Sequence, residues 1–131
     1  MADVTGKILI TDDDEALLKL YDLQLRTSGY TVVTATNGDD CLEKASSEKP
    51  DLILLDIVMP RKDGLATLKA LKDNPETANI PIVMLTNFGQ EDLIQNALNS
   101  GATEYLLKYR VTPTEMSAKV ADFLGHKPVQ L

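Results

Sequence analysis

The chain has 131 residues, 44% hydrophobic and 25% charged, with a formal net charge of -7. This is the balance of one globular domain able to bury roughly two-thirds of its unfolded surface. No apolar run approaches the roughly 20 residues of a membrane span, MADVTGKIL at the N-terminus lacks the basic-then-apolar order of a signal peptide, and the net negative charge repels nucleic-acid backbones and anionic lipid. The expectation is a cytoplasmic protein with no direct nucleic-acid or membrane contact.

In chain order, a first strand is predicted over Lys7 to Thr11, followed by TDDDE at residues 11 to 15. Asp14 and Glu15 suit the N-terminus of a helix, where negative charge is favourable; Leu18, Tyr21 and Leu25 then repeat at helical spacing. A second strand is predicted over Thr31 to Ala35. The single cysteine, Cys41, can form no internal disulfide, has no zinc-ligand cluster in the sequence, and reads as a small half-buried helix residue. A third strand is predicted over Asp51 to Leu55, ahead of DIVMPRKDG, in which Met59 and Pro60 shape a loop and Gly64 permits a tight turn. Leu65, Leu68 and Leu71 mark a third helix, Ile82 to Leu85 a fourth strand, Leu93, Ala97 and Leu98 a fourth helix, and Glu104 to Leu107 a fifth strand. The last helix has an explicit start: Thr112 as cap, Pro113 at the first helical position and Glu115 closing a capping box. Met116, Val120, Phe123 and Leu124 are its apolar face. Gly29, Gly38, Gly64 and Gly101 punctuate the junctions. The domain is expected to span 1–131, with a core of about 7–124 and a short tail in which His126 has no acid or nucleophile to work with.

Strict alternation of strand and helix predicts an α/β fold with right-handed crossovers, a parallel sheet and helices on both faces. Ligands of such sheets bind at the carboxyl ends of the strands. There the sequence places Asp12 and Asp13 after the first strand, Asp56 after the third, Thr86 after the fourth and Lys108 after the fifth, up to 96 positions apart (108 − 12). Two carboxylates about 5 Å apart repel by about 3 kcal/mol at an effective dielectric of about 20, so three mutual pairs approach about 10 kcal/mol, comparable with the stability of a whole domain. A proton, Lys108 or a hard divalent cation must offset that. An acidic patch that merely caps a helix explains Asp14 and Glu15, but not matching polar residues on three other strands.

In this order and spacing, Asp12 and Asp13, Asp56 in LLDIVMPRKDG, Thr86 in IVMLTN, Tyr105 in ATEYLLK and the closing Lys108 resemble the receiver domain of two-component response regulators, of the stand-alone type. The resemblance runs from about Lys7 to Leu124. It implies a flavodoxin-like, doubly wound five-stranded sheet of order 2-1-3-4-5 with five helices. Asp56 would accept a phosphoryl group from a histidine kinase or histidine phosphotransferase. Mg²⁺ would be held by Asp13 and Asp56, by Asp12 through water and by the backbone carbonyl of Val58. Thr86 and Lys108 would attend the phosphoryl group. A shift of Thr86 would let Tyr105 turn inward and remodel the face formed by the fourth helix, fifth strand and fifth helix, where a partner protein reads the signal. The protein would catalyse only its own phosphorylation and dephosphorylation.

Two departures stand out. Tyr109 occupies the position after the lysine where the family usually has proline, often in a cis bond. A non-proline cis bond costs about 3 kcal/mol, so the loop is expected to be either trans and rearranged or strained, and the placement of Lys108 depends on which. Apolar bulk at Val58 and Phe88 implies restricted water access and slow self-dephosphorylation. The competing readings are a flavodoxin-type electron carrier, disfavoured because TDDDE would repel flavin phosphate, an aspartyl phosphatase, disfavoured because Val58 stands where a second acid belongs, and a degenerate receiver that acts as a phosphorylation-independent interaction module.

Overall fold

A computed structural model of the chain describes residues 6–59, 63–87, 90–108 and 112–124. Its elements run β1 (Lys7–Thr11), α1 (Glu15–Thr27), β2 (Thr31–Ala35), α2 (Gly38–Glu48), β3 (Leu52–Asp56), α3 (Gly64–Asp73), β4 (Ile82–Thr86), α4 (Glu91–Asn99), β5 (Glu104–Leu107) and α5 (Pro113–Phe123). The five strands form one parallel sheet, as the alternating pattern implies, in the order β2-β1-β3-β4-β5 that the family resemblance implies. The chain reverses its direction of growth between β1 and β3, so the carboxyl ends of those two strands flank the crevice in which such sheets place their ligands.

Strand periodicity divides the core in two. Ile8, Ile10, Leu52, Leu54, Val83, Leu85 and Leu106 pack against Leu17, Leu18, Tyr21 and Leu25 of α1 and Met116 and Val120 of α5. Their alternates Leu9, Ile53, Leu55, Ile82 and Met84 face Cys41 and Ala45 of α2, Leu68 and Leu71 of α3, and Ile94 and Ala97 of α4. Because β1, β3 and β4 are covered on both faces, they carry near-continuous aliphatic runs rather than alternating ones.

Helix starts follow from short polar side chains. Asp14, Asn37, Asp63 and Thr112 each accept a hydrogen bond from a first-turn N–H, those of Leu17, Asp40, Ala66 and Glu115, and Thr112 with Glu115 makes the expected capping box. Two helices end in paired Schellman bonds: Tyr30 N–H to Leu25 C=O with Gly29 N–H to Arg26 C=O, and Ala102 N–H to Ala97 C=O with Gly101 N–H to Leu98 C=O. Gly29 and Gly101 supply the positive φ those turns require, 102° and 109°.

Three expectations change. β3 runs Leu52–Asp56, one residue later than predicted, because Asp56 still forms a rung opposite Leu85 while Asp51 turns its carboxylate onto the Lys7 N–H at 2.8 Å. β4 likewise extends to Thr86, in register with Leu107, so both polar residues are the last rungs of their strands rather than the first loop residues. Cys41 is fully buried rather than half-buried, because α2 packs it straight onto the sheet. Pro60, Phe88, Tyr109 and His126 lie outside the described residues.

Candidate functional site

Register builds the site. Thr11 is opposite Leu55, so Asp12 and Asp56, each one step further, stand side by side at the open end of the crevice. On the other side of Asp56, Thr86 is in register with Leu107, and the Lys108 N–H extends that pairing by donating to the Thr86 carbonyl at 2.7 Å. The backbone of Lys108 is therefore held by the β4–β5 pair itself. The lysine is thus tied by its own N–H to the end of β4, while Tyr109 and the bond to it lie outside the described residues.

Lys108 enters the site buried, as are Asp12 and Asp56. Its Nζ lies 2.8 Å from Asp12 Oδ2 and 3.1 Å from Asp56 Oδ2. Asp12 is oriented from its other side, because Oδ1 accepts from the Asp14 N–H at 2.9 Å in the Asx turn that opens α1. Asp13 points out, exposed. One carboxylate oxygen from each of Asp12, Asp13 and Asp56 falls within 4.8 Å of the others.

One ammonium between two buried carboxylates leaves the site short of positive charge. Burial, with the Asp12 charge behind it, pushes the Asp56 carboxyl up from 3.8 to about 7, against the opposing pull of Lys108. Burial draws the Lys108 ammonium down, but Asp12 and Asp56 more than offset this and hold it above its ordinary value. The Asp12 charge is met by the adjacent ammonium, whose Nζ lies 2.8 Å from Oδ2. Three hard oxygen donors, one open to solvent and two buried, are a chemically suitable cradle for a small divalent cation such as Mg²⁺.

Thr86 and Tyr105 occupy the opposite parity. Thr86 follows Ile82 and Met84 on the α2–α3–α4 side of the sheet, and Tyr105 is in register with Met84. Thr86 is fully buried, and its hydroxyl donates to Gln90 Oε1 at 2.6 Å; Tyr105 is turned outward, 37% exposed. Val58 is exposed beyond β3, its N–H 3.4 Å from Asp56 Oδ1. The structure thus draws Asp12, Asp13, Asp56 and Lys108 together, leaves Val58 at the rim, and places Thr86 and Tyr105 on the neighbouring strands.

Two site residues escaped the sequence reading. Gln90 holds the Thr86 hydroxyl, but nothing in the run of residues singles out a glutamine four places on. Gly64 was read as a turn residue; its φ is not positive, and its requirement is space. A Cβ there would lie 2.1 Å from the Asp56 carbonyl oxygen and 2.6 Å from Ile57 Cα, so the start of α3 packs directly on the backbone that carries Asp56.

A buried carboxylate pair bridged by a lysine, at the carboxyl edge of a 2-1-3-4-5 parallel sheet, defines a flavodoxin-like protein with an acidic, cation-suited pocket. Comparison with known proteins narrows this class to one family. Residues 8–121 match the response regulator receiver domain, and the chain belongs to that family. It is 40% identical over 123 residues to the alkaline phosphatase synthesis transcriptional regulatory protein PhoP of Bacillus subtilis, a match covering 94% of this chain and 50% of that one. Response regulator PleD of Caulobacter vibrioides is 42% identical over 106 residues, covering 80% of this chain and 23% of the other. The chain therefore spans about half or less of the length of these relatives. Among solved structures, chemotaxis response regulator CheY4 of Vibrio cholerae superposes with a TM-score of 0.83 at 30% identity, covering 92% of this chain and 99% of that one. Among the described residues, no helix is long and apolar enough to cross a membrane.

Proposed function

We propose that the protein is a phosphorylation switch in which Asp56 accepts the phosphoryl group of a phosphohistidine on a kinase or phosphotransferase, or of a small phosphodonor. The observation that carries this reading is the geometry of Asp56: a buried carboxylate at the strand terminus, open to the crevice, with the Lys108 ammonium at 3.1 Å. In the transfer, an Asp56 oxygen forms the new P–O bond in line with the departing imidazole, the P–N bond breaks, and the leaving nitrogen keeps the electron pair. Negative charge spreads over the phosphoryl oxygens in the loose transition state, and Lys108 stabilises it through a contact preformed on the acceptor itself.

Asp13 and Asp56, with Asp12 through water and the carbonyl of Val58, would hold Mg²⁺, which when bound supplies the further positive charge that the phosphoryl oxygens require. Thr86 senses the product: its hydroxyl turns to a phosphoryl oxygen, and Tyr105 moves inward from its exposed position. The face so altered comprises α4, β5 and α5, and a partner reads it. Family membership and the site geometry support the reading, as does an acidic chain poorly suited to contacting nucleic acid. The proposed unit is a single domain with its core at about 7–124, a cytoplasmic signalling protein without activity toward other substrates.

Intact mass after incubation with an acyl phosphate tests this, for wild type and Asp56→Asn, with Mg²⁺ or excess chelator. One phosphoryl adduct on wild type, dependent on metal and absent from the variant, is expected. A folded wild type that gains no adduct here or from histidine kinases would instead be a degenerate receiver acting as an interaction module.

A further inference from the structure

The hydroxyl of Thr86 is already engaged. It is fully buried and its oxygen lies 2.6 Å from Gln90 Oε1, against 3.3 Å from the Asn87 carbonyl. A hydroxyl has one proton to give, so donation to Gln90 leaves none for an oxygen at Asp56. The same Oε1 also accepts from the Asn87 N–H at 3.1 Å, which fixes the amide in place from a second side.

Gln90 occupies the cap position of α4, and there it is exceptional. Short side chains cap the first turns of α1, α2, α3 and α5, whereas the Gln90 side chain makes no capping bond. Its acceptor is committed to the strand-end threonine and loop, while the helix it opens is held on the core further along by Ile94 and Ala97, with Leu93 and Leu98 packed beside them. The start of α4 is thus tied through its cap residue to the hydroxyl at the edge of the phosphoryl site.

We propose that Gln90 is a latch that holds Thr86 in the unphosphorylated setting, so that turning Thr86 toward Asp56 also frees the first turn of α4. This rests on the reading of Asp56 as acceptor and Thr86 as sensor. Gln90 is a positioning residue: it acts through Thr86 and biases a two-state equilibrium that the phosphoryl group tips the other way. Removing it makes the active setting easier to reach.

Two measurements separate this inference from the function beneath it. Without metal or phosphodonor, NMR of the Thr86 methyl group reports its rotamer; a single rotamer in wild type and averaging in Gln90→Ala and in Gln90→Met, which keeps the length and loses the acceptor, is expected. With Mg²⁺, both variants should bind beryllofluoride, a tetrahedral mimic of a phosphoryl group, about 3- to 10-fold more tightly than wild type, the shift one neutral hydrogen bond produces. In a Thr86→Val background the gain should vanish. An unchanged Thr86 rotamer in folded variants, or an equal gain without the hydroxyl, overturns the latch. Failure of wild type to bind beryllofluoride overturns the phosphoacceptor reading, and the rotamer measurement then decides the Gln90–Thr86 coupling by itself.

Discussion

Asp56 is protonated more readily in the folded protein than a free carboxyl, and this has a consequence for stability. Its folded value near 7 lies above the ordinary 3.8 of a free aspartate, so the native state binds the extra proton. The stabilisation is fully present below about pH 4 and is lost as pH rises through about 7. About three units at about 1.4 kcal/mol each set a ceiling of about 4 kcal/mol. Metal-free Asp56→Asn, which never ionises there, should therefore gain on wild type by about 2–4 kcal/mol between pH 4 and pH 8, read from urea unfolding across that range. An equal pH dependence in both proteins would show that the Asp56 carboxyl is not raised in the folded protein. Cys41 gives the opposite case of a silent residue. Burial pushes its thiol up to about 11 despite the nearby Thr11 hydroxyl, so little thiolate forms at neutral pH and thiol reagents should label it only on unfolding.

Residue identity was legible where chemistry repeats at strand ends. Asp12, Asp13, Asp56 and Lys108 declare themselves because each polar side chain interrupts an apolar run at the same end. Their individual settings were not legible: Asp12 is sealed against Lys108 while Asp13, its neighbour, faces solvent, a difference made by strand parity and by the turn into α1.

At the scale of elements, the helix boundaries follow from local hydrogen bonding and can be tested locally. Thr112→Ala removes the acceptor for the Glu115 N–H, which lies 3.1 Å from Oγ1, and should cost about 1 kcal/mol of stability, read as a lowered denaturant midpoint, without altering the site. Gly64→Ala is a different matter. The added carbon would meet backbone atoms of Asp56 and Ile57 at 2.1, 2.6 and 2.8 Å, none of which can rotate aside. The start of α3 or the end of β3 must move, at a cost of about 1–3 kcal/mol or more, and metal binding should weaken along with stability. A Gly64→Ala protein with wild-type stability and metal affinity would mean that the loop yields freely. The sequence marks Thr112 openly, since a capping box lies within four consecutive residues. Gly64 is marked only as a glycine, because the atoms that exclude a side chain belong to another element.

Across the whole molecule, a cation held by the acidic group proposed above would make folding and cation binding one equilibrium. Mg²⁺ at 100 times its dissociation constant should stabilise wild type by about 2.7 kcal/mol at pH 8, seen as a rise in melting temperature that chelator reverses. The same addition should do much less for Asp56→Asn or Asp13→Asn, since each deletes a charge from the group of oxygens that lie within 4.8 Å of one another. A rise of equal size in all three proteins would point to cation binding elsewhere on the acidic surface.

The sequence by itself determined the α/β class, the alternation of five strands with five helices and the gathering of acids and a lysine at one sheet edge, because hydrophobic period and caps are properties of neighbouring residues. The order 2-1-3-4-5 came from family resemblance rather than periodicity, and the tertiary structure displays it. Only the tertiary structure decided which rung carries Asp56 and Thr86, what holds Lys108, why residue 64 has no side chain, and where the Thr86 proton goes. Each of those depends on a distance of a few ångströms between residues from separate elements, and such distances exist only once the strands are in register and the helices are packed on them.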